Sequence, residues 1–393
     1  MTYLGRTALP IALALAFGSP GAASAADSFD INVILPLTGG GAFVGNGHKE
    51  SLSTLAEVVN KEGGIGGKPV RFVFHDDQTN PQVAVQLATD ILAEKPAVIL
   101  GSGLVAMCRA IGPLMKAGPV EYCLSPAVNP EPGSFIFSSS SSADDQSTAV
   151  LNYFRMNGWT KIAEINNTDA TGQANEKSNT ALIEASKDLK LVDVEHFNPT
   201  DISVTAQMTH IQASGAQAIL GGVTGTPAAN VFKAMIQLGM TTPIEVSSGN
   251  QSFAQLEQWS SFLPKGLVLS SALFPEHDGL LKLDPRVEKA QHDMYAALAA
   301  HGLKADNMEA TSWDAGLIVV SALKALGPNA TAVQVRDYIL NLTDFPGIDG
   351  LYDFKKYPAR GLGPDSGTVV RFDGATKSWV WLTLPGGAPL KTR

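Results

Sequence analysis

The chain has 393 residues, with 28 lysines and arginines against 37 aspartates and glutamates, and a formal net charge of −9. That sign excludes a general affinity for nucleic acid or for an anionic membrane. The length exceeds what a single hydrophobic core ordinarily serves and predicts two lobes of domain size.

Residues 1–25 carry Arg6, an apolar run from Ala8 to Phe17, a Ser19-Pro20-Gly21 break and Ala23-Ser24-Ala25. This is the anatomy of a secretory signal cleaved before Ala26. The apolar run is too short to span a bilayer, and no later run approaches the roughly twenty residues of a membrane span. No cysteine stands at the cleavage point, so a periplasmic protein without a lipid anchor is expected. Loss of Arg6 leaves 27 basic against 37 acidic side chains, a balance of −10.

Strands are expected at 30–35, 70–75, 97–100, 121–124, 161–165, 192–197, 218–220, 244–247 and 267–271, alternating with helical stretches. Such alternation gives doubly wound α/β lobes with mainly parallel sheets. Between the first two strands, Asn60 ends a helix and Gly63-Gly64 and Gly66-Gly67 supply positive φ for the reversal into PVRFVFHD. Asn80-Pro81 then opens the next helix, with proline in its first turn. Five serines at 138–142 read as a crossing strand or linker between lobes, with a surface loop as the alternative. Cys108 and Cys123 form either a disulfide, worth about 3 kcal/mol for so short a loop, or two buried thiols. Neither has the spacing of a metal site.

Five motifs stand in order at predicted strand ends: ILPLTGGGAFVGNG, the N..GGIGG turn, HDDQTNPQVA, ILGSG and LSPAVNPE. On these motifs the chain resembles the leucine/isoleucine/valine-binding proteins of bacterial ABC importers, the type I periplasmic binding fold, from about Phe29 to the C-terminus. The resemblance implies three crossovers, with lobe I formed by 26–140 and 274–350 and lobe II by 141–273 and 351–393. It implies a monomer that binds a small molecule and delivers it to an ABC permease in the inner membrane.

In open parallel sheets the ligand crevice lies beyond the carboxyl ends of the strands, where helix starts present unpaired N–H groups. Ser102 after Gly101, and Ser125, Ala127 and Asn129 in the next loop, are therefore candidates to grip a carboxylate without Arg or Lys. Ser102 and Ser125 are equally suited to capping helices or turns. Elsewhere the chain departs from the pattern that the resemblance implies. Val105-Ala106 stand where hydroxyl residues are expected, Thr171 stands for a tyrosine and Val223 for an aromatic. Asn250 and Gln251 fall where an acid would hold an α-ammonium, which leaves Asp169 as the one carboxylate in these loops.

A buried cation without an anionic partner is costly. The expectation is therefore an aromatic or other non-amino organic acid, with Phe43, Leu104, Val105, Val223 and Phe274 enclosing its body. Asn250, Gln251 and His277 would meet a distal polar group. A branched-chain amino acid held by Asp169 is the alternative, and an extracytoplasmic sensor for an amide or urea-like ligand the third reading. No enzyme, catalytic residue, cofactor or metal is expected. Gly39-Gly40-Gly41 lacks the spacing of a dinucleotide fingerprint, no G-x-S-x-G elbow occurs, and the His75-Asp76-Asp77 cluster reads as a strand end capping the next helix.

Overall fold

The computed structural model describes residues 1–2 and 28–390; the signal expected at 1–25 lies outside the described residues apart from its first two. The first sheet is built from β1 (Phe29–Leu35), β2 (Val70–Asp76), β3 (Val98–Leu100), β4 (Val120–Cys123) and β5 (Ile136–Ser138). All its pairings are parallel, in the order β2-β1-β3-β4-β5. Helices α1 (Ala42–Lys61), α2 (Pro81–Leu92) and α3 (Val105–Ile111) connect the first four strands. Burial on both faces explains why these strands read as continuous apolar runs rather than as alternating ones.

Local chemistry sets the first connections. Gly64 has φ 68° and lies so close to Lys68 that a Cβ would stand 1.9 Å from its carbonyl oxygen. Asn60 clamps the end of α1 to the start of β2, donating to the Val70 carbonyl at 2.9 Å and accepting its N–H at 2.6 Å. Asn80 caps α2 by accepting from Gln82 and Val83. The carboxylates after β2 hold loops: Asp76 accepts from Leu37 and Thr38, Asp77 from Thr79 and Ser102. His75 pairs with Asn32 at 2.8 Å.

After β5 the chain runs through Ser139–Ser141, all buried, to Ser142, which caps α4 (Ala143–Met156) in a capping box with Asp145. The second sheet contains β6 (Lys161–Asn167), β7 (Lys190–Phe197), β8 (Ala218–Gly222), β9 (Ile244–Val246) and β10 (Leu267–Ser271). Helices α5 (Ala170–Glu184), α6 (Thr205–Ala213), α7 (Thr226–Gln237) and α8 (Phe253–Gln258) lie between these strands. Beyond β10, α9 (Pro285–Ala299), α10 (Asn307–Leu326) and α11 (Ala332–Asn341) return to the first sheet, where Met294, Trp313 and Ile339 join its core. A short hairpin of β11 (Phe345–Gly347) and β12 (Gly350–Tyr352) follows. The antiparallel pair β13 (Thr368–Asp373) and β14 (Ser378–Trp381) then completes the second sheet, in the order β14-β13-β10-β9-β8-β6-β7.

Of the two readings of the serine run, the structure excludes the surface loop: its small side chains are buried, and Ser140 donates to Asp349 at 2.8 Å. The segment after residue 350 also stays with the first core for longer than expected, because Tyr352, Phe354 and Leu362 pack there before the chain reaches β13.

Candidate functional site

A cleft with about 760 Å³ of space between its atoms, open solvent included, lies between the carboxyl ends of the two sheets. From the first half, Val44 and His48 of α1, Leu104, the Ser125–Ala127 loop and Met308 of α10 line it. From the second come Gln146, Ser147, Asn175, Asn179, Glu245 and Ser270, among others. Among the described residues the lining contains no Lys or Arg and no Phe, Tyr or Trp.

The two halves touch around this cavity. The Asp306 carboxylate accepts the Phe253 N–H at 2.9 Å, and the Gln251 carbonyl accepts the Asn307 N–H at 3.2 Å. Ala170 packs onto the cluster of Val105, Val128 and the Cys108–Cys123 disulfide. The Phe43 ring lies 3.0 Å from where a Gly225 Cβ would stand, a contact that only a side-chain-free residue admits.

Of the residues expected from sequence, Leu104, Ser125, Ala127 and Thr171 meet on the cavity wall. Ser102 does not: it is fully buried, donates to Asp77 at 2.9 Å and accepts the Leu104 N–H at 3.4 Å, so its hydroxyl serves the turn. Val105 sits against the disulfide, Val223 in the second core and Phe274 in the first. An apolar residue just past a strand can turn either way, and in these three the gain from full burial decides. Asn250 is spent on the backbone, accepting from Gly225 at 2.9 Å and donating to the Val223 carbonyl at 2.8 Å. Gln251 is buried beside the contact between the halves, with neither side-chain polar atom partnered among the described residues.

Asn129 is exposed and accepts from Arg360, and His277 packs edge-on against Trp381. Asp169 caps α5, accepting from Thr171 and Gly172, both at 2.9 Å, and does not line the cavity. It is therefore already committed to backbone donors. Cys108 and Cys123 are joined in a disulfide, with Cα atoms 5.9 Å apart, which ties α3 to the strand feeding the Ser125 loop.

Four charged or titratable groups were not anticipated. His48 is buried, its Nδ1 is 2.7 Å from the Met308 carbonyl oxygen, and burial lowers its pKa to about 4, so the ring is neutral. Glu245 stands in the middle of β9, accepts the Ser270 N–H at 3.4 Å, and is pushed by burial to a pKa of about 7. Glu164 lies in register with it across Leu220 of β8 and is also raised to about 7, by burial first and by like charge in smaller part. The fourth is Arg360, buried behind the Ser125 loop. It donates to the Pro126 carbonyl at 3.1 Å and to the Val128 carbonyl at 2.7 Å, and to Ser139 and Ser140 of the serine run at 2.9 and 3.1 Å. A signal for Glu245 was present in the sequence, as an acid at the centre of the apolar strand Ile-Glu-Val. His48 likewise occupies the buried stripe Val44, His48, Leu52, Leu55 of an amphipathic helix.

Residues 28–375 match the family described as periplasmic binding protein. A Leu/Ile/Val-binding protein homologue of Brucella melitensis is 24% identical over 341 residues, covering 84% of this chain and 91% of that protein. Among solved structures, an extracellular ligand-binding receptor from Rhodopseudomonas palustris superposes with a TM-score of 0.81 at 21% identity, covering 91% of this chain and all of the other. A fatty acid ABC transporter substrate-binding protein from Thermomonospora curvata superposes at 0.76 and 19%, covering 90% and 91%. These structural likenesses establish the fold.

Proposed function

From the premise that the chain belongs to the periplasmic binding protein family, we propose that it is the solute-binding component of an ABC importer and captures a small, non-amino carboxylic acid between its two halves. Export through the N-terminal signal and delivery to an inner-membrane permease are parts of the same reading. Ligand bridging both halves favours the closed arrangement by its contacts to each, and the permease reads that shape.

The observation that carries the ligand class is the wall formed by Leu104, Ser125 and Ala127. Ser125 offers a hydroxyl, α3 begins at Val105 with no side chain capping its first amides, and the Arg360 guanidinium backs the loop through the carbonyls of Pro126 and Val128. A carboxylate is stabilised there by N–H groups and a nearby positive charge without direct contact to a cation. The absence of Phe, Tyr and Trp from the lining among the described residues favours an aliphatic or polar body over the aromatic one expected from sequence. Glu245 favours one second reading, an amino acid whose ammonium would meet that carboxyl.

Thermal shift of the mature protein separates the two. A ligand at a hundred times its Kd adds about 2.7 kcal/mol to stability. 4-Methylpentanoate and related non-amino acids should raise Tm, with leucine giving little. Stabilisation by leucine alone, abolished in Glu245→Gln, would establish the second reading instead.

A further inference from the structure

The imidazole of His48 is the polar group of the cavity whose hydrogen-bonding sense is settled by geometry. A carbonyl oxygen only accepts, so the 2.7 Å contact with Met308 requires the proton on Nδ1. In a neutral ring Nε2 then carries a lone pair and no hydrogen. Among the described residues nothing hydrogen-bonds to it. Nε2 lies beside Gly103, where a Cβ would come within 2.4 Å of it. Any larger residue at 103 would cover the nitrogen, and glycine leaves it facing the space that the ligand enters.

Gly103 lines the cavity next to Leu104 of the wall assigned above to the carboxylate, so the atom that meets Nε2 is a near neighbour of that group. A donor there completes the imidazole's hydrogen bonding. A second acceptor would face the lone pair with both groups stripped of water, which is costly.

We propose that His48 makes the site selective for carboxylates with a hydrogen-bond donor on the adjacent carbon, and that the solute is a 2-hydroxy acid rather than its 2-oxo or unsubstituted counterpart. This inference rests on the carboxylate reading of the cavity. The ammonium of a 2-amino acid is the other source of such a donor, and Glu245 distinguishes the two: a hydroxyl does not need it, whereas an ammonium does.

The test measures calorimetric Kd values of the mature protein for four probes on one carbon skeleton: 2-hydroxy-4-methylpentanoate, 2-oxo-4-methylpentanoate, 4-methylpentanoate and leucine. Two variants are compared with the wild type. His48→Phe keeps the ring volume and does not orphan the Met308 carbonyl, which also accepts from Ser312 at 2.8 Å and Thr311 at 3.2 Å. Gly103→Ala sets a methyl group against Nε2, from which the ring must shift, and it serves if His48→Phe does not fold. The wild type should prefer the hydroxy acid to the oxo acid by about tenfold, the worth of one hydrogen bond. In either variant that preference, read as the ratio of the two Kd values in one preparation, should fall to within about twofold. Equal binding of the hydroxy and oxo acids by the wild type, or a preference that survives both variants, overturns the proposal. Binding of leucine alone, lost in Glu245→Gln and retained in His48→Phe, overturns it together with the carboxylate reading. So does the failure of all three non-amino acids to bind.

Discussion

Glu121 gives the sharpest prediction about the fold itself. It occupies the second position of β4, fully buried, and neither carboxyl oxygen has a partner among the described residues. Gly101 and Gly112 make room for it: a Cβ on Gly101 would stand 3.1 Å from one oxygen, and one on Gly112 3.7 Å from the other. Burial alone raises its pKa from 4.5 to about 8. The unfolded chain gives up this proton near 4.5 and the folded chain holds it to about 8, so deprotonation favours unfolding throughout that interval. Stability therefore falls as pH rises from about 4.5 to about 8 and is unaffected by this group outside it. About 3.5 units at 1.36 kcal/mol each amounts to about 5 kcal/mol. Glu121→Gln does not titrate. At pH 5 it should cost about 1 kcal/mol for a buried amide without partners. At pH 9 it should stabilise by about 4 kcal/mol, the removed penalty less that cost. Urea unfolding of the disulfide-intact mature protein between pH 5 and 9, followed by tryptophan fluorescence, measures the difference between variant and wild type. Contributions from Glu164, Glu245 and the other buried acids cancel in that difference. A difference that does not change with pH would show that Glu121 is hydrated or paired, and would refute the reasoning.

Replacing both Cys108 and Cys123 by serine should lower stability by about 3 kcal/mol, the chain-entropy value for a loop of this length, as read from urea midpoints. Arg360→Met should destabilise by about 3 kcal/mol or more, because it strips four backbone carbonyls of their donor; it should also weaken carboxylate binding, measured as Kd in the same preparations.

The sheets were legible because parallel strands buried on both faces must be apolar throughout, and Leu267–Ser271 was placed without error on that ground. The loop rule for such sheets also found Leu104, Ser125, Ala127 and Thr171, which line the cavity. It could not find residues that reach the cavity from inside a helix or strand, such as His48, Gln146, Asn179 and Glu245, since their direction depends on how two sheets face each other. The same limit applies in reverse to Phe274: aromatic character after a strand end does not say whether the ring turns to the cleft or to the core, and here it is core. The reading that left Asp169 as the one carboxylate for an ammonium had the same limit. It searched the loops, whereas Glu245 lies within the strand.

Arg360 joins these observations into a mechanical argument. Its guanidinium binds the ligand-side loop through Pro126 and Val128, and the serine run through Ser139 and Ser140. Ser140 has φ 61°, in the left-handed region that a serine adopts only when its surroundings enforce it. The enforcing contacts are Arg360 on its carbonyl and Asp349 on its hydroxyl, at 3.1 and 2.8 Å. Asp349 follows the strand β11 and is raised to about 7 by burial and by the nearby Asp314, so its bond to Ser140 lies in a site that water does not reach. One cation thus fixes both the wall that meets the ligand and a backbone torsion in the segment joining the sheets. Displacing the Ser125–Val128 loop against Arg360 must either break charge-assisted bonds to carbonyls or carry Ser139 and Ser140 along. Breaking them is the costlier course. On the proposed closure of the halves, the loop and the joining segment therefore move as a unit, with Ser140 held at φ 61°.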